Sequence, residues 1–274
     1  MHTEPAPAKI NLALHVRARR PDGYHEIETL FAFCRDGDRL EVEEADADRL
    51  TIVGPFAGGL STTDNLVLAA LAAMRRLGDI PPLAVTLTKN LPVAAGIGGG
   101  SADAAAMIRL LDRHYVHVDD DNELVAATTQ LGADVGACIV GRTRIGQGVG
   151  TDLHRIPDDL TGCPVLLVNP RVPLATGPVF AAWDGVDRGA LSSGTARAVA
   201  LAGRNDLAAP AIGLCPAIAD VLAALRRSDA WLVRMSGSGA TCFALFDREA
   251  DRAKTRAALA AERSDWWCLE STLA

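Results

Sequence analysis

Residues 96–100 carry four glycines in five positions, Gly96-Ile97-Gly98-Gly99-Gly100, and Ser101-Ala102-Asp103-Ala104-Ala105-Ala106 comes directly after them. Few chains can use such a pattern except to turn tightly and then start a helix. Glycine takes positive φ without a Cβ penalty and lets the backbone approach a neighbour or a ligand closely. The helix that opens behind it leaves N–H groups with no intrahelical partner. Its dipole favours an anion there by about 0.3–1 kcal/mol, and by up to ~2 kcal/mol in sheltered geometry. These residues alone fit a phosphate cradle, and they fit a plain flexible strand-to-helix turn.

The common glycine motifs can be tested one by one. A Walker-A loop needs Gly-Lys-Ser/Thr, and no lysine stands in this loop. A dinucleotide fingerprint needs G-x-G-x-x-G. Its sixth position is Ser101 when counted from Gly96 and Asp103 when counted from Gly98. The protein-kinase landmarks His-Arg-Asp and Asp-Phe-Gly are missing from the sequence, as is a G-x-S-x-G elbow.

Composition narrows the partners. Apolar residues make up 49% of the 274-residue chain and charged residues 22%, enough for a buried core in one large domain or two small ones. The net charge of −7 lacks the basic excess of a nucleic-acid binder. Attraction for a phosphate compound must therefore come from local donors and not from the global field. The six cysteines include no C-x-x-C pair and read as buried thiols in a reducing cytoplasm. His114 and His117 have a metal-like spacing, but nothing nearby completes a ligand set, so no metal site is expected. No signal pattern opens the chain and no apolar stretch approaches ~18 residues, so the expectation is a cytoplasmic protein with no membrane partner.

Residues 9–16 alternate, with Ile10, Leu12, Leu14 and Val16 on one face and Lys9, Asn11, Ala13 and His15 on the other, as in a half-buried strand. Lys9 and Asn11 then point the same way. Pro21-Asp22-Gly23 marks a turn. Strands are expected over 39–53 (broken by a turn at 45–48), 83–89, 164–168, 231–235 and 241–246. Helices are expected over 65–77, from the glycine loop to about 113, and over 122–131, 216–227 and 248–263. Residues 171–185 are poorly patterned. Strands and helices mix without strict alternation, which favours α+β over a doubly wound sheet. The expected division is residues 1–155 and 156–274.

Pro92, Gly96, Ile97, the glycines 98–100, Ser101 and Ala104–Ala106 resemble the phosphate-binding motif of the GHMP kinases. Ile97 stands where that family usually has leucine, and Ala102 stands where a second serine is frequent. Pro7-Ala8-Lys9-Ile10-Asn11-Leu12 resembles the family's opening strand, and Ser236-Gly237-Ser238-Gly239-Ala240 resembles its late glycine-rich turn. Within the family, four segments are similar to the diphosphocytidyl-methylerythritol kinases: Arg20 to His25, Leu131 to Val135, Gly146 to Gly150, and Asn205-Asp206-Leu207.

The resemblance implies a two-domain GHMP kinase fold with mixed and antiparallel sheets packed with helices, and an active site in the cleft between the domains. It implies ATP and Mg2+ carried with the nucleotide, and transfer of the γ-phosphate to the tertiary hydroxyl of the methylerythritol part. That transfer serves the non-mevalonate isoprenoid pathway. Asp134 is the implied general base and Lys9 its partner on the attacking oxygen, the two forming a close pair. Asn65 and Lys89 would edge the adenine, and Pro92, Val93, Ala94, Ala95, Gly96, Ile97, Gly98, Gly99, Gly100, Ser101 and Ala102 would wrap the phosphates. Tyr24, His25 and Phe180 would hold the cytosine, and Asn11 would bond near the reacting hydroxyl. On local residues alone, Asp134 reads first as an ordinary helix-start aspartate and Lys9 as a rim lysine, and Phe180 reads equally as core. The alternatives are another small-molecule kinase of the family, of homoserine or mevalonate type, and a non-catalytic binding module. A monomer or weak homodimer is expected.

Overall fold

The computed structural model describes residues 1–118 and 120–274. Packing divides the chain into two compact units that interleave along the sequence. The first is Met1–Ala8, Asp36–Val93 and Gly98–Gly141; the second is Lys9–Arg35, Ala94–Ile97 and Arg142–Ala274.

The two longest strands, β1 (His2–Arg19) and β2 (His25–Glu44), pair with each other, and each contributes a segment to both units. In the first unit, Arg39–Glu44 of β2 runs antiparallel to β4 (Leu83–Thr88), and β3 (Arg49–Val53) lies parallel along the other side of β4. Helix α1 (Leu66–Met74) starts at Asn65, whose side-chain oxygen accepts the Val67 N–H at 3.0 Å. This is an N-cap exchange that usually contributes about 1 kcal/mol. The sequence places the helix start one residue early and its end later, because Arg75 to Leu77 continue only as turns.

Helix α2 (Gly99–Leu111) packs against α1 and against α4 (Ala133–Val140). Its run of small residues explains why: Ala102, Ala104, Ala105 and Ala106 are buried, so neighbouring helices can come close, while Met107, Ile108, Leu110 and Leu111 fill the core. Truncating one of those larger side chains to alanine would cost about 2–5 kcal/mol. Helix α3 (Asp121–Thr128) precedes α4, with a single 3-10 turn, Thr129–Leu131, between them.

In the second unit, β2 pairs through Thr29–Phe31 with β5 (Arg144–Gln147), which forms an antiparallel hairpin with β6 (Asp152–Arg155). A separate antiparallel sheet has the order β10 (Trp267–Thr272), β7 (Pro164–Asn169), β9 (Cys242–Leu245) and β8 (Leu232–Met235). All of β7 is buried, as expected of an interior strand with neighbours on both sides. Helix α8 (Ala217–Leu225) buries Ile218, Val221, Leu222 and Leu225, the 0, 3, 4, 7 spacing of one helical face. The charged helix α9 (Glu249–Glu262) buries only Thr255 and Leu259. Between β7 and α8, a region that includes the poorly patterned residues 171–185, lie three short helices: α5 (Thr176–Ala181), α6 (Ala196–Ala202) and α7 (Ala208–Leu214).

One expectation needs correcting. Residues 9–16 are buried on both faces, Lys9 and Asn11 included at 3% exposure each, so this part of β1 is a fully buried strand and not a half-buried one. Alternation here separates polar from apolar surroundings, not water from core. No helix among the described residues is long and apolar enough to cross a membrane.

Candidate functional site

Three segments far apart in sequence meet in the second unit. The Lys9 N–H donates to the Ile97 carbonyl at 3.0 Å, and the Thr241 N–H donates to the Ala95 carbonyl at 3.1 Å. The Asn11 N–H donates to Ser236 Oγ at 3.1 Å, and Ser236 Oγ–H donates to the Gly96 carbonyl at 2.8 Å. The opening strand, residues 94–97 and the late glycine turn are therefore bonded together by buried and half-buried groups. Gly96 has φ 74°, and a Cβ there would lie 2.5 Å from the Ser236 carbonyl oxygen. Gly237, with φ 54°, has Asn11 Oδ1 at 3.2 Å from the place a Cβ would take. Both positions require glycine for closeness as well as for backbone conformation. Asn205 supports the same turn, donating through Nδ2 to the carbonyls of Met235 and Gly237, each at 2.8 Å.

Lys9 and Asn11 share one network. Lys9 Nζ donates to Asn11 Oδ1 at 3.0 Å and lies 5.4 Å from the centroid of the Phe31 ring. Asn11 Nδ2 donates to Thr29 Oγ1 at 2.8 Å, and that hydroxyl donates to the Ala13 carbonyl at 2.7 Å. The amide of Asn11 is thus fixed in one orientation, with its oxygen toward the lysine.

The Pro-Asp-Gly turn closes as the sequence leads one to expect. The Tyr24 N–H donates to Asp22 Oδ1 at 3.1 Å, and Gly23 takes φ 88°. Tyr24 is 61% exposed, whereas His25 is buried. The His25 ring lies 5.0 Å from Phe180, tilted by 45°, and 5.8 Å from Trp183 in an edge-on arrangement. Burial, helped by the nearby Arg19 cation, pulls the His25 pKa below the usual imidazole value, so the ring is neutral near pH 7. Its Nε2 is buried and has no hydrogen-bond partner among the described residues. An unpaired buried polar atom costs about 1–3 kcal/mol, and a bound molecule could satisfy it. Trp183 was not legible in advance; only its neighbourhood to Phe180 on α5 pointed that way.

The rest of the glycine loop belongs to the first unit. Gly98 caps α2 at φ 64°, and the Ala102 N–H donates back to its carbonyl at 2.8 Å. Gly99, Gly100 and Ser101 are then the first helical residues, whose amides have no helical acceptor behind them. Lys89 is buried at 3% exposure and donates to Asp38 and, at 2.7 Å, to Asp103. Asn65 is engaged as the cap of α1. Asp134 stands half-buried in the first turn of α4, whose N-cap is Gly132. Lys9 belongs to the second unit and Asp134 to the first. Pro92 and Val93 close the first unit's segment before the loop, and Val93 is 49% exposed.

The chain matches two family models, the GHMP kinases N terminal domain over residues 65–142 and the GHMP kinases C terminal over residues 191–264. A 4-diphosphocytidyl-2-C-methyl-D-erythritol kinase from Sphingopyxis alaskensis is 58% identical, over 97% of this chain and 96% of the relative. One of the same description from Novosphingobium aromaticivorans is 55% identical, over 98% of this chain and 92% of the relative. Among solved structures, a 4-(cytidine 5'-diphospho)-2C-methyl-D-erythritol kinase superposes with a TM-score of 0.82 at 32% identity, covering 100% of this chain and 99% of the other. A homoserine kinase from Cytophaga hutchinsonii shares the fold, with a TM-score of 0.71 at 18% identity over 97% of this chain and 95% of the other.

Proposed function

This chain belongs to the 4-diphosphocytidyl-2-C-methyl-D-erythritol kinases of the GHMP kinase superfamily and is an ATP-dependent kinase, and from that premise we propose that it transfers the γ-phosphate of ATP to the tertiary hydroxyl of 4-diphosphocytidyl-2-C-methyl-D-erythritol. The observation that carries this reading is the hydrogen-bonded junction of Asn11, Ser236 and Gly96. It supports a phosphate loop held against the strand that bears Lys9 and Asn11.

Phosphoryl transfer asks for positioning and charge neutralisation more than for covalent help. In this proposal the amides from Gly96 to Ser101 grip the nucleotide's phosphates, with Pro92 to Ala95 leading the backbone to them, Ala102 seating the helix start behind them through its bond to Gly98, and Asn65 and Lys89 on the nucleotide side. Asn11, fixed by Thr29, bonds the acceptor near its reacting hydroxyl. Asp134 takes the hydroxyl proton, and Lys9 steadies the attacking oxygen. Mg2+ would arrive with ATP and neutralise the β and γ oxygens. Among the described residues no group of three His, Cys, Asp or Glu side chains could hold an ion by itself.

The cytosine is assigned to the group of Tyr24, His25 and Phe180. A neutral His25 with an unpaired Nε2 beside a half-buried phenyl ring suits a flat, polar-edged base. Stacking of a base on an aromatic ring contributes about 1–3 kcal/mol. Phe180→Ala is therefore expected to raise KM for the cytidine substrate by about 5- to 100-fold while KM for ATP stays within a few-fold, as steady-state kinetics with each substrate varied would show. The direct test of the whole reading is incubation of purified protein with ATP and 4-diphosphocytidyl-2-C-methyl-D-erythritol, with the phosphate position read by phosphorus NMR. A phosphate on any other carbon, or no product, would refute it. A thermal-shift response to CMP separates this reading from a homoserine- or mevalonate-type kinase, which should ignore that ligand.

A further inference from the structure

Beneath the first turn of α2 the first unit buries three ionisable groups in direct contact: two carboxylates and one ammonium. Asp38 on β2 accepts from Lys89 Nζ and from the backbone N–H groups of Asn90 at 2.5 Å and Leu91 at 2.8 Å. Lys89 also donates to Asp103 Oδ2 at 2.7 Å. The cluster therefore ties the chain just before the glycine loop to the helix just after it. It also lies close behind the loop's amides. A Cβ on Gly99 would be 3.4 Å from Lys89 Nζ and 3.7 Å from Asp38 Oδ2. Asp103 follows Gly99 by one helical turn, about 6 Å of rise.

With both acids ionised the cluster carries one negative charge more than it can pair. A buried unpaired charge is expensive, and a phosphate arriving at the adjacent amides makes it more so. The Asp103 Oδ1 atom is buried and has no hydrogen-bond partner among the described residues, which leaves it as the place for a proton. We propose that Asp38, Lys89 and Asp103 act together as positioning residues of the nucleotide loop, and that Asp103 takes up one proton from solvent as the nucleotide's phosphates bind. The proton joins the Asp103 carboxylate, the cluster becomes neutral, and no other bond is made or broken. This inference rests on the assignment of the nucleotide to the glycine loop.

The surroundings leave few other charges to interfere. Burial pushes the Asp103 carboxyl up to about 7; Lys89 opposes this and Asp38 adds to it. Lys89 itself is held above its ordinary value, because the two carboxylates outweigh the desolvation that works against its charge. Helix α1 buries Val67, Ala70, Leu71 and Met74, and α4 buries Val135, Ala137, Cys138 and Ile139, with Asp134 in its first turn. Arg109, farther along α2, is engaged by Glu4 at 2.8 Å.

The sign comes from linkage. Phosphate charge raises the proton affinity of Asp103 in the complex, so nucleotide affinity grows as pH falls toward 7 and levels off below it. The test is titration calorimetry of the full chain with ADP at about pH 8, where terminal phosphates with a second pKa near 6 are already ionised. Two buffers of different ionisation enthalpy give the proton count. Wild type is expected to take up a measurable fraction of one proton per ADP, and Asp103→Asn none. Equal uptake in the two proteins, with both binding ADP, would overturn the proposal. No binding by wild type would instead remove the nucleotide from the glycine loop, and this inference with it. If Asp103→Asn does not fold, the wild-type profile decides the matter. ADP affinity should fall by up to about tenfold per pH unit above 7, the limit for one proton, and a constant affinity from about pH 7 to 9 would sink the idea.

Discussion

Asp134→Asn should lower kcat by about 10²–10⁴-fold, the usual share of a positioned general base, while KM for both substrates stays within a few-fold. Asparagine keeps the shape of the side chain and loses the ability to accept a proton. Asp134 stands in the first turn of α4, but the N-cap residue is Gly132, which makes no side-chain cap bond. The helix start therefore does not take its N-cap from the carboxylate. Single-turnover kinetics would show whether the slowed step is chemistry. A kcat near that of wild type would remove Asp134 from the mechanism and leave it an ordinary helix-start aspartate.

What could be read in advance tracks a physical divide. Local signals were legible: glycines mark the turn at 96–100 into α2, the helix read from residue 65 begins within one residue of α1, and the helix read over 216–227 covers α8. Contacts made by topology were not. Lys89 meets Asp38 across 51 positions and Asp103 across 14, and nothing in the local sequence says that a lysine after an alternating strand will be buried between two acids. The short helices α5, α6 and α7 have six or seven residues each, too few for a helical period to stand out, and α5 and α7 contain Gly and Pro. Trp183 escaped notice for the same reason. Strand β10 lies at the sheet edge and begins with Trp267-Cys268 at half burial, so no alternation marks it. Position along the chain also suggests contiguous domains, whereas packing interleaves two units, because β1 and β2 are long enough to serve both. In the candidate site, Lys9 and Asn11 were identified by their shared strand face. The buried network that fixes them, through Thr29 and Ser236, required the fold.

Gly96→Ala should cost at least about 10² in kcat/KM for ATP, the scale expected when a positioned group is displaced by about 1 Å. Gly96 has φ 74°, and the added methyl would meet the Ser236 oxygen at 2.5 Å, the Gly239 oxygen at 2.7 Å and the Gly239 nitrogen at 2.8 Å. All three are backbone atoms, so no side chain can rotate away. Either residues 94–97 retreat from the late glycine turn or that turn yields. In both cases the bond from Ser236 Oγ to the Gly96 carbonyl is strained, and with it the Asn11 backbone that leans on the same hydroxyl. The left-handed conformation adds about 1–2 kcal/mol for a residue with a Cβ. A stability loss of that size lowers Tm by roughly 2–8 °C in a chain of this size. Gly213→Ala is the control: a Cβ there meets nothing within 4 Å, so its Tm and kinetics should match wild type. If Gly96→Ala kept kcat/KM for ATP within a few-fold while Tm fell, the tight junction would be holding the unit together without placing the phosphate loop.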